Sequence, residues 1–238
     1  MNKSRLRKIL DKIARFFYPR GVTCVNCGRE LTDADNREAE LCKDCSSHLT
    51  YLNDELCPVC ADPLQDGVCN NCSHRKFFFD RTFSVLRYDG LARSMVIDFK
   101  DADKSYLYRN MLYFMPDIGE EIDIVTYVPS GKRAVRKRGY DHAKILADAY
   151  AKKCGVPFLS ALERVRDNLD SAGLTKRERE LNLKNAFSVA KKLPSGALKD
   201  KTVVIVDDVM ATGYTMDECA RILKKEGAKQ VFAVVFAR

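Results

Sequence analysis

The run VVIVDDVMATGYTM, residues 203–216, carries a strand straight into a cluster of polar side chains. Its first four residues are branched and apolar, the length and composition of a strand buried on both faces. Two adjacent carboxylates follow, Asp207 and Asp208, and then Ala211, Thr212, Gly213, Tyr214 and Thr215. Beyond them the pattern predicts a helix over 215–226 closed by Gly227 and a second apolar strand over 230–236, which makes the stretch one β-α-β unit. In such a unit the turn after the first strand points backbone N–H groups and the positive end of the helix at one place. That is an anion cradle, to which the threonine hydroxyls add donors. Gly213 permits the close turn. A phosphate in the cradle would repel Asp207 and Asp208, so these acids are assigned to sugar hydroxyls nearby or to a hydrated Mg²⁺. Phosphate, diol and carboxylates together describe a phosphorylated ribose. An acid that only caps the helix would use one short acceptor and leave the rest of the pattern unexplained.

Working outward, residues 81–238 alternate strand and helix signals. RTFSVLRY reads as a strand, LARSMVIDFK and SYLYRNMLYFM as helices, DIVTYV as a buried strand running into Pro129, residues 140–154 as a helix, and 181–189 as a helix end and a short strand. This alternation predicts an α/β domain whose mainly parallel sheet has helices on both faces and its ligand site at the carboxyl ends of the strands.

Residues 21–80 have a different composition. Four C-x-x-C knuckles, Cys24/Cys27, Cys42/Cys45, Cys57/Cys60 and Cys69/Cys72, follow one another. Each aims two thiolates at one tetrahedral ion, so four knuckles suit two zinc ions in closed, structural shells. Sequential pairing is the simplest arrangement, and nested or interleaved pairings satisfy the same chemistry. Disulfides are disfavoured in a reducing compartment, and a thioredoxin-like motif needs one pair in a βαβ unit. His74 just past the last knuckle, and His48, read as surface residues; Cys154 and Cys219 read as buried small apolar residues on helices.

The chain of 238 residues carries a net charge of +8, unevenly spread: +6 over residues 1–20, −6 over 21–80 and +8 over the remainder. A basic α/β domain favours phosphate-bearing partners. Residues 1–20 place Leu6, Ile9, Leu10, Ile13, Phe16 and Phe17 at helical spacing with lysines and arginines opposite, a basic amphipathic helix. It suits either an anionic membrane or a partner surface, or docking on its own acidic neighbour. No apolar run is long enough to cross a bilayer and no secretory leader is evident, which predicts a cytoplasmic protein, with the basic helix available for contact with the inner face of the membrane. The expected domains are therefore 1–20, 21–80 and 81–238.

Several separated motifs, the paired knuckles, Asp98-Phe99-Lys100, YVPSGKRAVRKRGYDHA, RVRD, RERELNLKNAF and the aspartate pair, resemble the ComF family, in which a zinc-ribbon module precedes a type I phosphoribosyltransferase domain. The resemblance runs from about residue 19 to the C-terminus. It implies that Asp207 and Asp208 hold the ribose hydroxyls of phosphoribosyl pyrophosphate (PRPP), that Ala211, Thr212, Gly213, Tyr214 and Thr215 bind its 5′-phosphate, and that Val128, Pro129, Ser130 and Gly131 form the pyrophosphate loop, with Lys100 beside them. Lys132, Arg133, Arg136, Lys137 and Arg138 are expected to form a mobile basic loop over the diphosphate, with Arg138 the first catalytic choice after the aspartates. The chain departs from the family pattern at Tyr127-Val128-Pro129, at Asp141-His142 and at Ser171.

Three functions follow from the resemblance. A transferase would displace diphosphate from PRPP with Mg²⁺ and loop cations neutralising the leaving group, the acceptor being unspecified. A DNA-uptake factor would use Arg133, Arg136, Lys137, Arg138 and Arg179 on single-stranded DNA, with Tyr140 available to stack on bases, alongside a ComFA-type helicase. A PRPP-responsive adaptor would dock a partner through its zinc module. The second, with PRPP binding at its core, is the expected function. Oligomeric state is not specified by the sequence.

Overall fold

A computed structural model describes residues 21–52, 55–101, 104–166 and 185–238. The amphipathic segment 1–20, Ser171 and Arg179 lie outside the described residues. Two compact units divide at Leu49, Met1–Leu49 and Thr50–Arg238. The boundary expected at residue 80 thus falls inside the second unit, which contains the third and fourth knuckles. The reason is local pairing: Leu52 N–H donates to Val85 at 2.9 Å, Arg87 N–H to Thr50 at 2.8 Å and Thr82 N–H to Val59 at 2.7 Å, which ties the second ribbon to the first strand of the sheet.

The first unit has little apolar material beyond Leu31, Ala39, Leu41 and Leu49. Its order comes from turns around Cys24, Cys27, Cys42 and Cys45, and from a single-turn helix α1, Lys43–Ser46, whose N-cap is the sulfur of Cys42. Asp35 gathers the loop by accepting from Thr32 and Lys43 N–H and from Arg29, interactions led by the Thr32 amide that hold its carboxyl far below the carboxylate range.

The second unit holds β1, Arg81–Phe83; α2, Gly90–Phe99; a 3-10 turn, Ser105–Leu107; α3, Tyr108–Phe114; β2, Ile124–Tyr127; α4, Lys132–Arg138; α5, His142–Cys154; β3, Leu162–Arg164; β4, Phe187–Val189; β5, Thr202–Val209; α6, Tyr214–Lys225; and β6, Gln230–Ala237. The main sheet has the order β1-β6-β5-β2 and is parallel at every pairing, with β3 and β4 forming a separate antiparallel pair. Residues 203–206 and 231–237 are all buried, as a strand covered on both faces requires. Val203, Ile205, Val231, Ala233 and Val235 pack against Met216, Cys219, Ala220 and Leu223 of α6. Phe236 points the other way, edge-on to Phe114 of α3. Period two has placed helices on opposite faces. Among the described residues no helix is long and apolar enough to cross a membrane.

Three local expectations are corrected. The strand expected over RTFSVLRY stops at Phe83, because the chain beyond it pairs with residues 50–52. β5 runs on to Val209, because β6 continues to Ala237 and pairs Asp207 with Val235, so both aspartates lie in the strand and not after it. The basic loop is a helix, α4, entered after Gly131 and ended by Gly139, which at φ +80° takes the left-handed turn and donates its N–H to Val135 at 2.8 Å.

Candidate functional site

At the carboxyl ends of β2 and β5 the second unit opens into a cavity of about 470 Å³. Lys100, Val128, Pro129, Ser130, Asp207, Asp208, Ala211, Thr212, Gly213, Tyr214 and Thr215 all line it. Residues more than a hundred positions apart in sequence therefore line one cavity. Gly131, Arg133, Arg136, Lys137 and Arg138 are not part of the lining.

The turn from β5 into α6 is built by Gly213, whose φ of +78° L side chains rarely adopt. A Cβ there would also come within 3.3 Å of the Phe77 ring. The 12 residues of α6 begin directly after it, so the helix's positive end and its unpaired N–H groups face the same region as the Thr212 and Thr215 hydroxyls.

The two acids are unlike each other. Asp208 is 3 % exposed. Its Oδ2 lies 2.9 Å from His142 Nε2 and 3.1 Å from Lys100 Nζ. Burial pushes its carboxyl up, but the His142 hydrogen bond and the Lys100 charge outweigh burial and hold it below the ordinary range. Asp207 forms no ion pair among the described residues, and Lys100 acts on it through charge alone. Burial, and then the charge of Asp208, push its carboxyl well above the ordinary range. One carboxyl raised and its neighbour lowered is the expected result when two adjacent acids share one pocket.

His142 is the residue that sequence reasoning left without a role. Arg138 donates to its Nδ1 at 2.6 Å, which makes Nδ1 the acceptor, and its Nε2 lies 2.9 Å from Asp208. Ser130 Oγ lies 3.2 Å from the same Nδ1 and donates to Asp141 at 3.0 Å, while Ser130 N–H donates to the other Asp141 oxygen. One network thus joins the Val128–Ser130 loop, α4, α5 and β5. Within it Arg138 touches His142 and not the cavity, a positioning role in this structure, whereas Arg133, Arg136 and Lys137 are exposed. The signal in the sequence was a histidine at the first helical position after a glycine stop. Tyr88 and Arg164, which also line the cavity, carried no such signal. The half-buried Tyr140 is anchored at its hydroxyl, which donates into the carbonyls at the end of α2, 2.6 Å from that of Phe99.

The cysteines form two sets, Cys24, Cys27, Cys42, Cys45 and Cys57, Cys60, Cys69, Cys72, each with its sulfurs within 4.8 Å of one another. None is in a disulfide. A tetrahedron with zinc–sulfur arms of about 2.3 Å has edges of about 3.8 Å. Cys27 and Cys42 sulfurs are 3.8 Å apart, and Cys57 to Cys72 and Cys60 to Cys69 are each 3.5 Å. Both sets fit structural zinc, in the sequential pairing. Burial first, and then neighbouring cysteines of the same set, push Cys45 and Cys60 up to about 12, a demand for positive charge that such an ion meets.

Comparison with known proteins agrees with both parts. A family model described as phosphoribosyl transferase domain matches residues 134–238, and one described as double zinc ribbon domain matches residues 13–73. The chain is 30 % identical over 188 residues to DNA utilization protein YhgH of Salmonella typhimurium, covering 74 % of this chain and 81 % of that protein. It is 26 % identical over 220 residues to Competence protein F of Haemophilus influenzae, covering 87 % and 93 %. Among solved structures, one described as the allosteric regulatory enzyme of purine biosynthesis superposes with a TM-score of 0.36 at 22 % identity, over 62 % of this chain and 26 % of that one.

Proposed function

This chain belongs to the ComF family, a double zinc ribbon joined to a type I phosphoribosyltransferase domain, and from that premise we propose that it binds PRPP in the β5–α6 cavity and serves the handling of incoming DNA. The observation that carries the ligand reading is the meeting, in one cavity, of the Ala211–Thr215 turn with the Asp207 and Asp208 pair. The turn offers N–H groups and hydroxyls to a 5′-phosphate. Asp208, ionised and fixed by His142 and Lys100, accepts from a ribose hydroxyl. Ser130 and Lys100, which also line the cavity, would take the diphosphate. Mg²⁺, when bound with the diphosphate, supplies charge neutralisation that no described side chain in the cavity besides Lys100 and Arg164 offers.

The DNA reading rests on the relatives' names and on charge. Arg133, Arg136 and Lys137 are exposed along α4, outside the cavity, so single-stranded DNA and PRPP use separate groups on this helix and its neighbours. A ComFA-type helicase and the inner face of the membrane remain partners proposed from the family alone. The test combines two arms. Reversing the charge of Arg133, Arg136 and Lys137 together should weaken single-strand binding at least tenfold, flatten its salt dependence by about 0.7 unit of slope per lost phosphate contact, and leave PRPP affinity within about twofold. Single-strand binding unchanged by the triple reversal would remove α4 from the DNA reading. In the second arm, diphosphate release from PRPP, assayed with and without nucleobases or DNA, separates a binder from a transferase: steady release above the uncatalysed rate would replace the binding reading by turnover.

A further inference from the structure

The second cysteine set and the phosphate turn are joined by one side chain. Arg238 is 3 % exposed on its side chain, and its guanidinium spans two groups of acceptors. NH2 lies 3.1 Å from Asp62 Oδ1 and 3.6 Å from the sulfur of Cys60. NH1 donates to the carbonyl oxygens of Met210, at 3.3 Å, and Ala211, at 3.5 Å. Its backbone is held independently, with N–H donating to Leu86 at 2.8 Å and C=O accepting from Tyr88 at 2.6 Å.

The consequence lies in peptide geometry. In a trans peptide the C=O of one residue and the N–H of the next point in opposite directions. Arg238 draws the carbonyls of Met210 and Ala211 to its own side, which turns the N–H groups of Ala211 and Thr212 away from it. Arg238 does not line the cavity, whereas Ala211 and Thr212 do. A flipped peptide here would present a carbonyl oxygen to a bound anion, replacing a donor by a repulsive dipole. The other end of the turn is held from the same segment of chain: Asp217, in the first turn of α6, accepts from Phe78 N–H at 2.5 Å and pairs with Arg75, whose guanidinium lies 4.0 Å over the Tyr214 ring.

We propose that Arg238 is a positioning residue, which sets the peptide orientation of the phosphate turn and, through Asp62 and Cys60, makes that orientation depend on an intact second cysteine cluster. The ligand side of this inference rests on the PRPP reading; the orientation of the turn does not. A hydrogen bond to a metal-ligating sulfur is the kind of outer contact that orients ligands, and here it runs in both directions.

The experiment compares the full chain with Arg238→Met, Arg238→Lys and Asp62→Asn. Hydrogen–deuterium exchange of peptides covering 210–214 is read without ligand, PRPP with Mg²⁺ is titrated by calorimetry, and bound zinc is counted. Arg238→Met should raise exchange in the turn and lower PRPP affinity, each about tenfold, the factor that corresponds to about 1.4 kcal/mol. Arg238→Lys should recover part of both. Asp62→Asn, which removes a partner of Arg238 and touches no part of the turn, should shift both in the same direction by a smaller factor, with zinc content unchanged. Wild-type exchange in the turn of Arg238→Met, or an Asp62→Asn protein indistinguishable from wild type, would overturn the inference. Wild-type protein that shows no PRPP binding would refute the ligand reading, while the exchange measurements alone would still decide on Arg238. Should Arg238→Met fail to fold, Arg238→Lys and Asp62→Asn carry the same test.

Discussion

Replacing Asp208 by asparagine separates its structural role from its role toward a ligand. The carboxylate Oδ2 lies 2.9 Å from Nε2 of His142, whose side chain is 10 % exposed, and 3.1 Å from Nζ of Lys100, whose side chain is 41 % exposed. A polar contact to a buried charged acceptor contributes at most about 1.5–3 kcal/mol. The Lys100 pair, half in water, adds only about 0–1 kcal/mol. An asparagine oxygen keeps part of the His142 bond, and relief of repulsion lets Asp207 ionise in its place. The net loss should be about 2 kcal/mol, or a fall of about 4–8 °C in Tm for a unit of this size. The pH dependence carries a sign. A carboxyl held below its ordinary value contributes stability that is present above about pH 4 and lost as pH falls through the lowered value. Calorimetric melts at pH 7 should show the full gap between wild type and Asp208→Asn, and the gap should close as the pH is brought below about 4. Equal melting temperatures at pH 7, or a gap that widens in acid, would show that Asp208 is not held as a paired carboxylate.

Three further outcomes follow from the same geometry. Burial and the charge of Asp208 raise the Asp207 carboxyl, and ribose hydroxyls or Mg²⁺ favour its ionised form, so PRPP binding should release protons and tighten as pH rises through the window between the ordinary and the raised value. Titrations in buffers of different ionisation enthalpy would read this directly, and Asp207→Asn should abolish the buffer dependence. Metal analysis of the isolated protein should find two zinc ions per chain, and chelation should unfold the described part of the first unit, whose apolar core is slight, at lower chelator exposure than the sheet. Gly213→Ala forces a β-carbon into a left-handed turn against Phe77, which should cost about 1–2 kcal/mol by denaturant melts and weaken PRPP binding at least as much.

How much of this was legible in the sequence depended on whether the pattern was local. Residues 203–206 are apolar without interruption, so a strand covered on both faces could be read from them alone. The knuckle spacing named the metal sites because each pair is closed by a turn of two residues. Gly213 and the threonines gave the phosphate turn for the same reason. What sequence could not supply was the pairing of distant segments. The first expected strand ended early because residues 50–52 compete for its backbone, and the second ribbon joined the phosphoribosyltransferase domain through hydrogen bonds to Thr82 and Val85. Nor does the residue type at position 142 announce that Arg138 fills one ring nitrogen and Asp208 the other. The basic stretch misled in a plain way: five cations suggested a solvated loop, while Gly131 and Gly139 at its two ends were helix punctuation. Arg238, last in the numbering and far in sequence from Cys60 and Met210, could not have been connected to either.

The proposed PRPP site of the β5–α6 cavity is built on two unlike acids. Isothermal titration of PRPP with Mg²⁺ into wild-type protein and into the Asp207→Asn, Asp208→Asn double variant puts that proposal to the test. Binding to wild type should be saturable and one-to-one, and the double variant should lose at least about a hundredfold, about 2.7 kcal/mol for removing both hydroxyl acceptors, with near-ultraviolet spectra showing that the variant remains folded. Equal affinity in the two folded proteins would contradict it.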